Sequence, residues 1–170
     1  MAGTGIFEGC IMNFPNDLFI MSGGQTGVDR GALDAALEFG APCGGWCPKG
    51  RRAEDGVIPS HYPLQETVSS GYDERTKWNV IKSDGTLVIF SGRLTIGTAL
   101  TITICNFYKK PIFMVDVSGV DLGAVADDIV GFIKVNNIEK LNVAGTRHSK
   151  SPGIYSDAKL LVLDVLKKLK

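Results

Sequence analysis

Apolar positions in this chain fall into two rhythms, short unbroken runs and helix-period stripes, and the two take turns. Residues 18–21 are continuously apolar, as a buried strand is, and pass directly into the small-residue loop 22–27. Over residues 28–39, Val28, Ala32, Ala35, Ala36 and Phe39 recur at helical spacing on one face, and Gly40 and Pro42 stop the helix. Residues 44–47 predict a second, short strand. Residues 48–72 hold five charged side chains between positions 49 and 55 and prolines at 48, 59 and 63, and read as a long ordered loop.

The alternation then resumes. Residues 73–83 predict a helix and residues 86–90 a strand. Residues 97–108 are ambiguous, because 101–104 alternate as a strand does. A helix is expected there, since it lies between two strand candidates and parallel neighbours need a crossover. Residues 112–115 predict a strand, 121–133 an amphipathic helix, 141–144 the last strand and 156–169 the last helix. Alternating elements of this kind predict an α/β fold: an open, mostly parallel sheet in three layers, with helices on both faces. Residues 17–170 are expected to be one domain and 1–16 a loose extension.

The 18 basic and 18 acidic residues balance to zero net charge, which argues against general nucleic-acid binding. No apolar run approaches the roughly 20 residues that cross a bilayer. The first residues carry no Lys or Arg, so they make a poor secretory signal. The cysteines at 10, 43, 47 and 105 form no C-x-x-C pair, and a reduced cytoplasmic protein with free thiols is expected. Cys43 and Cys47 are open to two readings, a metal or redox pair and two small strand residues.

The 21 glycines cluster in loops that follow predicted strands, where open α/β sheets bind ligands. In the first such loop Gly23, Gly24 and Gly27 let the backbone approach a ligand, and Ser22, Gln25 and Thr26 add donors. The helix start suits an anion, and Arg30 could offer a phosphate its two-pronged fork. A tight structural turn is the alternative. The second loop carries Gly92, Thr95, Gly97 and Thr98, which cap the next helix, touch a ligand, or both. The third carries Gly145, Arg147, His148, Ser149 and Lys150, and is either a solvated charged loop or a ligand loop. The cations of 49–52 could cover a phosphate, with Glu54 and Asp55 pairing to hold the loop.

Five blocks in order, GGQTGVDRGALDAAL, WCPKGRRAEDG with YPLQE, YDERTKWNVIKSDGTLVIF, G-x-L-T-x-G-T-x-L-T and LNVAG-x-R-x-S-K-x-PGIY, resemble the putative molybdenum carrier family. That family sits in the larger Rossmann-like group of nucleotide sensors and LOG-type cytokinin-activating proteins. The resemblance implies a Rossmann-like fold, a homo-oligomer, and a phosphate-bearing ligand with molybdenum cofactor, a pterin phosphate, as candidate. The positions it carries over are Gly23, Gly24, Gln25, Thr26, Gly27 and Arg30, then Gly92, Thr95, Gly97 and Thr98, then Gly145, Arg147 and Ser149. Thr146 and His148 stand where the family pattern has Pro and Glu. LOG-type phosphoribohydrolases carry a Glu in Pro-Gly-Gly-x-Gly-Thr-x-x-Glu, and alignment on Gly97 and Thr98 puts Thr101 there. A threonine is no acid or base near neutral pH. The expectation is therefore a carrier for a small phosphorylated ligand, molybdenum cofactor or a nucleotide, without nucleic-acid or membrane partners. The alternative is a nucleotide hydrolase or LOG-type phosphoribohydrolase that takes its acid from another loop, such as Asp29, Glu54 or Asp55; a purely structural or protein-interaction domain ranks last.

Overall fold

The computed structural model describes residues 18–170. The extension expected over 1–16 lies outside the described residues. Six parallel strands form one sheet: β1 (Phe19–Met21), β2 (Cys43–Cys47), β5 (Leu64–Glu66), β6 (Gly85–Phe90), β7 (Ile112–Asp116) and β8 (Lys140–Gly145), in the order β5-β2-β1-β8-β6-β7. A small antiparallel hairpin of β3 (Arg52–Ala53) and β4 (Gly56–Val57) projects between β2 and β5. The helices are α1 (Val28–Phe39), α2 (Tyr72–Ile81), α3 (Ile96–Phe107), α4 (Leu122–Val135) and α5 (Ile154–Lys168).

Crossover handedness distributes them. From β1 through α1 the chain moves one way along the sheet to β2, and from β6 through α3 it moves the other way to β7. Right-handed crossovers in opposite directions put their helices on opposite faces. Accordingly α1, α4 and α5 pack together on one face, and α2 and α3 on the other. This is the three-layer, Rossmann-like α/β arrangement. The central strand β8 runs between the two halves, between β1 and β6, where the chain's direction along the sheet reverses. A reversal of this kind opens a crevice at the carboxyl ends of the strands.

The two faces differ in kind. Ile20, Leu87, Ile89, Leu141 and Val143 join α1, α4 and α5 in the main apolar core, to which no residue of α2 or α3 belongs. Each fully buried Leu or Ile there contributes about 1.5–3 kcal/mol. The other face is polar: Asn142 Nδ2 donates to Thr86 Oγ1 at 3.2 Å, and Asn79, Thr98, Thr101 and Cys105 are buried nearby. Asn79 docks α2 onto β2 as a strand neighbour would. Its Oδ1 accepts from Trp46 N–H at 2.8 Å and its Nδ2 donates to Trp46 C=O at 2.9 Å.

The segment 48–72, expected as loop, contains β3, β4 and β5. These strands are two or three residues long and show no alternation. Under the hairpin Leu33, Cys47, Ala53, Ile58 and Tyr62 form a second small core. Cys43, Cys47 and Cys105 are free thiols, and burial pushes all three above the ordinary thiol range. Among the described residues no cluster of His, Cys, Asp and Glu could hold a metal, and no helix is long and apolar enough to cross a membrane.

Candidate functional site

A cleft of about 240 Å³ opens at the carboxyl end of β8, between the β1–α1 turn, the N-termini of α2 and α3, and the segment after β8. Its floor is Asn142, Ala144 and Gly145 of β8. Its walls bring together Gly23 and Gln25 from the first glycine loop, Thr95 and Gly97 from the second, and Arg147 from the third. Three stretches far apart in sequence therefore meet at one rim.

Helix α3 begins at this cleft. Thr95 is its N-cap: Oγ1 accepts from Thr98 N–H at 3.3 Å and lies 2.8 Å from Thr98 Oγ1. Thr98 itself is buried behind the cap, 2% exposed. Ile96 and Gly97, the first turn, line the cleft and give it the positive end of a 12-residue helix. Thr101 also lines it, its hydroxyl turned back to Gly97 C=O at 3.2 Å.

The start of α1 is not the open anion site expected of it. Gln25 N–H donates to Asp29 Oδ2 at 3.2 Å, Thr26 N–H to Gln25 Oε1 at 3.1 Å, and Val28 N–H to Thr146 C=O at 3.1 Å. No side chain caps the helix itself; the loop's own side chains and the Thr146 carbonyl take up the amides at the head of α1. Gly27 makes that possible, because it has a φ of 81° and a Cβ there would sit 2.4 Å from Thr146 O.

Arg30 is also elsewhere. Its two terminal nitrogens hold Asp55 at 2.5 and 2.8 Å, and its Nε donates to Gly24 C=O at 3.0 Å. The fork expected to meet a phosphate is spent on the hairpin, outside the cleft, and it holds Asp55 below the usual carboxylate range. Gly24 packs against Leu64 and Ile58, and Gly92 N–H donates to Asp116 Oδ1 at 3.0 Å. Thr26 and Ser149 both serve Glu54 at the hairpin tip. Its carboxylate accepts the Thr26 hydroxyl, Ser149 N–H at 3.1 Å and Ser149 Oγ–H at 2.6 Å, with Arg147 Nη1 at 3.9 Å. Burial pushes the Glu54 carboxyl up, but those hydrogen bonds and the nearby guanidinium outweigh it and hold the group low. Of the three acids considered for hydrolysis, Asp29 alone lines the cleft.

Beside Arg147, the cleft wall holds a second guanidinium, Arg75 of α2. Its Nη1 holds Asp29 Oδ2 at 2.8 Å, with both side chains largely buried. A Cβ on Gly23 would lie 1.8 Å from that nitrogen, so the glycine makes room for the ion pair. Tyr72, Thr76 and Asn79 accompany Arg75 in the lining. All four lie in or near the block YDERTKWN, whose i, i+3, i+4, i+7 spacing puts them on one face of α2. That polar stripe was the available signal for a second wall. Two buried donors in this wall have no acceptor, Gln25 Nε2 and Arg75 Nε. Gln25 is 5% exposed, and the two N–H groups aimed at its Oε1, from Thr26 and Glu54, fix which end of the amide is nitrogen.

Fold and cleft together define a Rossmann-like protein of ligand-binding type. The chain belongs to the Circularly permutated YpsA SLOG family, whose profile matches residues 20–166. It is similar to a protein of known crystal structure from Syntrophus aciditrophicus, described as a putative molybdenum carrier protein. The two are 44% identical, with a TM-score of 0.85 over 89% of this chain and 96% of the other. No curated protein matches the sequence.

Proposed function

We propose that the protein binds a small phosphorylated ligand in this cleft and acts as a carrier for it, the ligand being molybdenum cofactor or a nucleotide. One observation carries this: buried donors without acceptors, on Gln25 and Arg75, share the cleft with the first turn of α3. Each buried N–H left unpaired costs about 1–3 kcal/mol, a cost an anionic guest relieves. The similar protein's description as a molybdenum carrier supports the cofactor, and the donor set fits the phosphate that a pterin phosphate and a nucleotide share. In either case Thr95, Gly97 and Arg147 would hold that phosphate.

The test is ligand-dependent melting. AMP or the pterin phosphate at 100 times its Kd should add about 2.7 kcal/mol, a rise of about 5–10 °C for a chain of this size. Gly23→Ala, which evicts Arg75 from Asp29, should abolish the rise. If neither ligand moves the midpoint, the proposal fails. Asp29 in the cleft favours a second reading, hydrolysis, and incubation with AMP followed by an assay for free adenine separates the two.

The carrier is also proposed to be a homo-oligomer. Helix α3 is built inside out: Thr98, Thr101 and Cys105 are buried, whereas Ile96 is 92% and Phe107 77% exposed. Ile96, Leu100, Thr103 and Phe107 share one face. No residue of α3 is charged, so a second copy of the same face sets no like charges together across a two-fold axis.

A further inference from the structure

The ring of Tyr72, half-buried in the cleft wall, is the meeting point of three guanidiniums from three separate parts of the chain. Arg52 of β3 lies 5.3 Å from its centroid, and Arg75 of α2 and Arg147 after β8 each lie 5.6 Å away. No two can therefore be farther apart than about twice that distance. The ring organises cations from three segments.

Their charges are unequally matched. Arg75 is paired with Asp29 at 2.8 Å. Arg147 reaches Glu54 only at 3.9 Å, and that carboxylate is already engaged by Ser149 and Thr26. Arg52 is exposed and forms no ion pair among the described residues. One ring quadrupole attracts cations but does not cancel their mutual repulsion. An oxyanion between them does, and a guanidinium fork is the geometry that meets a phosphoryl group with two hydrogen bonds. Arg52 does not line the cleft, so a phosphoryl group seated inside at α3 leaves it unused.

We infer that the ligand carries two linked phosphoryl groups, the inner one at the α3 N-terminus and the outer one at the mouth between Arg52 and Arg147. This rests on the phosphate-binding proposal above and narrows its ligand to one with a diphosphate, as a nucleotide can carry and a pterin monophosphate cannot. Asp73 also lines the cleft and opposes an outer anion. Its removal should therefore tighten binding of a diphosphate.

Calorimetric titration with inorganic phosphate, pyrophosphate, AMP and ADP tests the inference. The diphosphates should bind about tenfold tighter than their single-phosphate counterparts. Arg52→Ala should erase that advantage while leaving AMP affinity within about twofold, and Arg52→Lys should keep part of it. Asp73→Asn should raise ADP affinity by a larger factor than AMP affinity, since ADP brings the greater negative charge to the cleft that Asp73 lines. Equal AMP and ADP affinities in the wild type, or an Arg52→Ala loss shared by both, overturn the second subsite and leave the first standing. Failure of all four to bind overturns the phosphate proposal and this inference with it.

Discussion

Glu54 shows how one side chain can decide the shape of a rim. It stands at the tip of a two-residue turn and takes donors from the β1–α1 loop and from the segment after β8, tying both to the hairpin. Its folded-state carboxyl is held low, so its clasp contributes stability above the ordinary glutamate range near pH ~4.3 and loses it as pH falls through the depressed folded value. Glu54→Gln should therefore cost about 1 kcal/mol at pH 7, about 2–4 °C in Tm for a chain this size. The wild-type and variant midpoints should converge as the pH drops below 4; a gap that stays constant down to pH 2.5 would show that the charge is irrelevant. Neither this clasp nor the capture of Arg30 by Asp55 is legible in sequence. Both contacts span 25 residues or more, and local spacing ranks a cation by its neighbours, not by the carboxylate that folding delivers to it.

Elements were more legible than contacts, for a physical reason. Strands of a covered parallel sheet are dominated by apolar residues and their crossover helices carry a stripe, so β1, β6, β7, β8, α1, α4 and α5 stand out at nearly their true limits. Strands β3, β4 and β5 do not, because two or three residues are too few to display an apolar run or an alternation. Helix α2 lies between these cases. Its pattern is polar because its work is polar: Arg75 faces the cleft and Asn79 completes β2. Asn79→Ala removes two hydrogen bonds to Trp46 and strands a half-buried N–H and C=O. The expected cost is about 2–4 kcal/mol, readable as a fall in the urea midpoint with an unchanged slope. Asn79→Asp should cost nearly as much, since a carboxylate cannot donate to the Trp46 carbonyl. A variant as stable as wild type would mean that α2 is held to the sheet by packing alone.

At the scale of the whole molecule, one face of the sheet carries a sealed core and the other a polar layer under an outward-facing apolar helix. A fold so lopsided is coherent when α3 is covered by a second chain. Phe107 is exposed, so Phe107→Glu should leave the monomer's stability within about 0.5 kcal/mol while halving the mass seen by light scattering during size-exclusion chromatography. A wild-type chain that elutes as a monomer at high micromolar concentration ends the proposal. The patch also touches the cleft, since Ile96 and Leu100 belong to both. Coupling between two such events is reciprocal by linkage. A ligand that binds the dimer better than the monomer must tighten the dimer by the same factor. Phe107→Glu, though absent from the cleft lining, should then weaken ligand affinity, and saturating ligand should shift wild-type dissociation to lower protein concentration. If the variant binds ligand as tightly as wild type, dimer and cleft are independent, and each chain binds its ligand by itself.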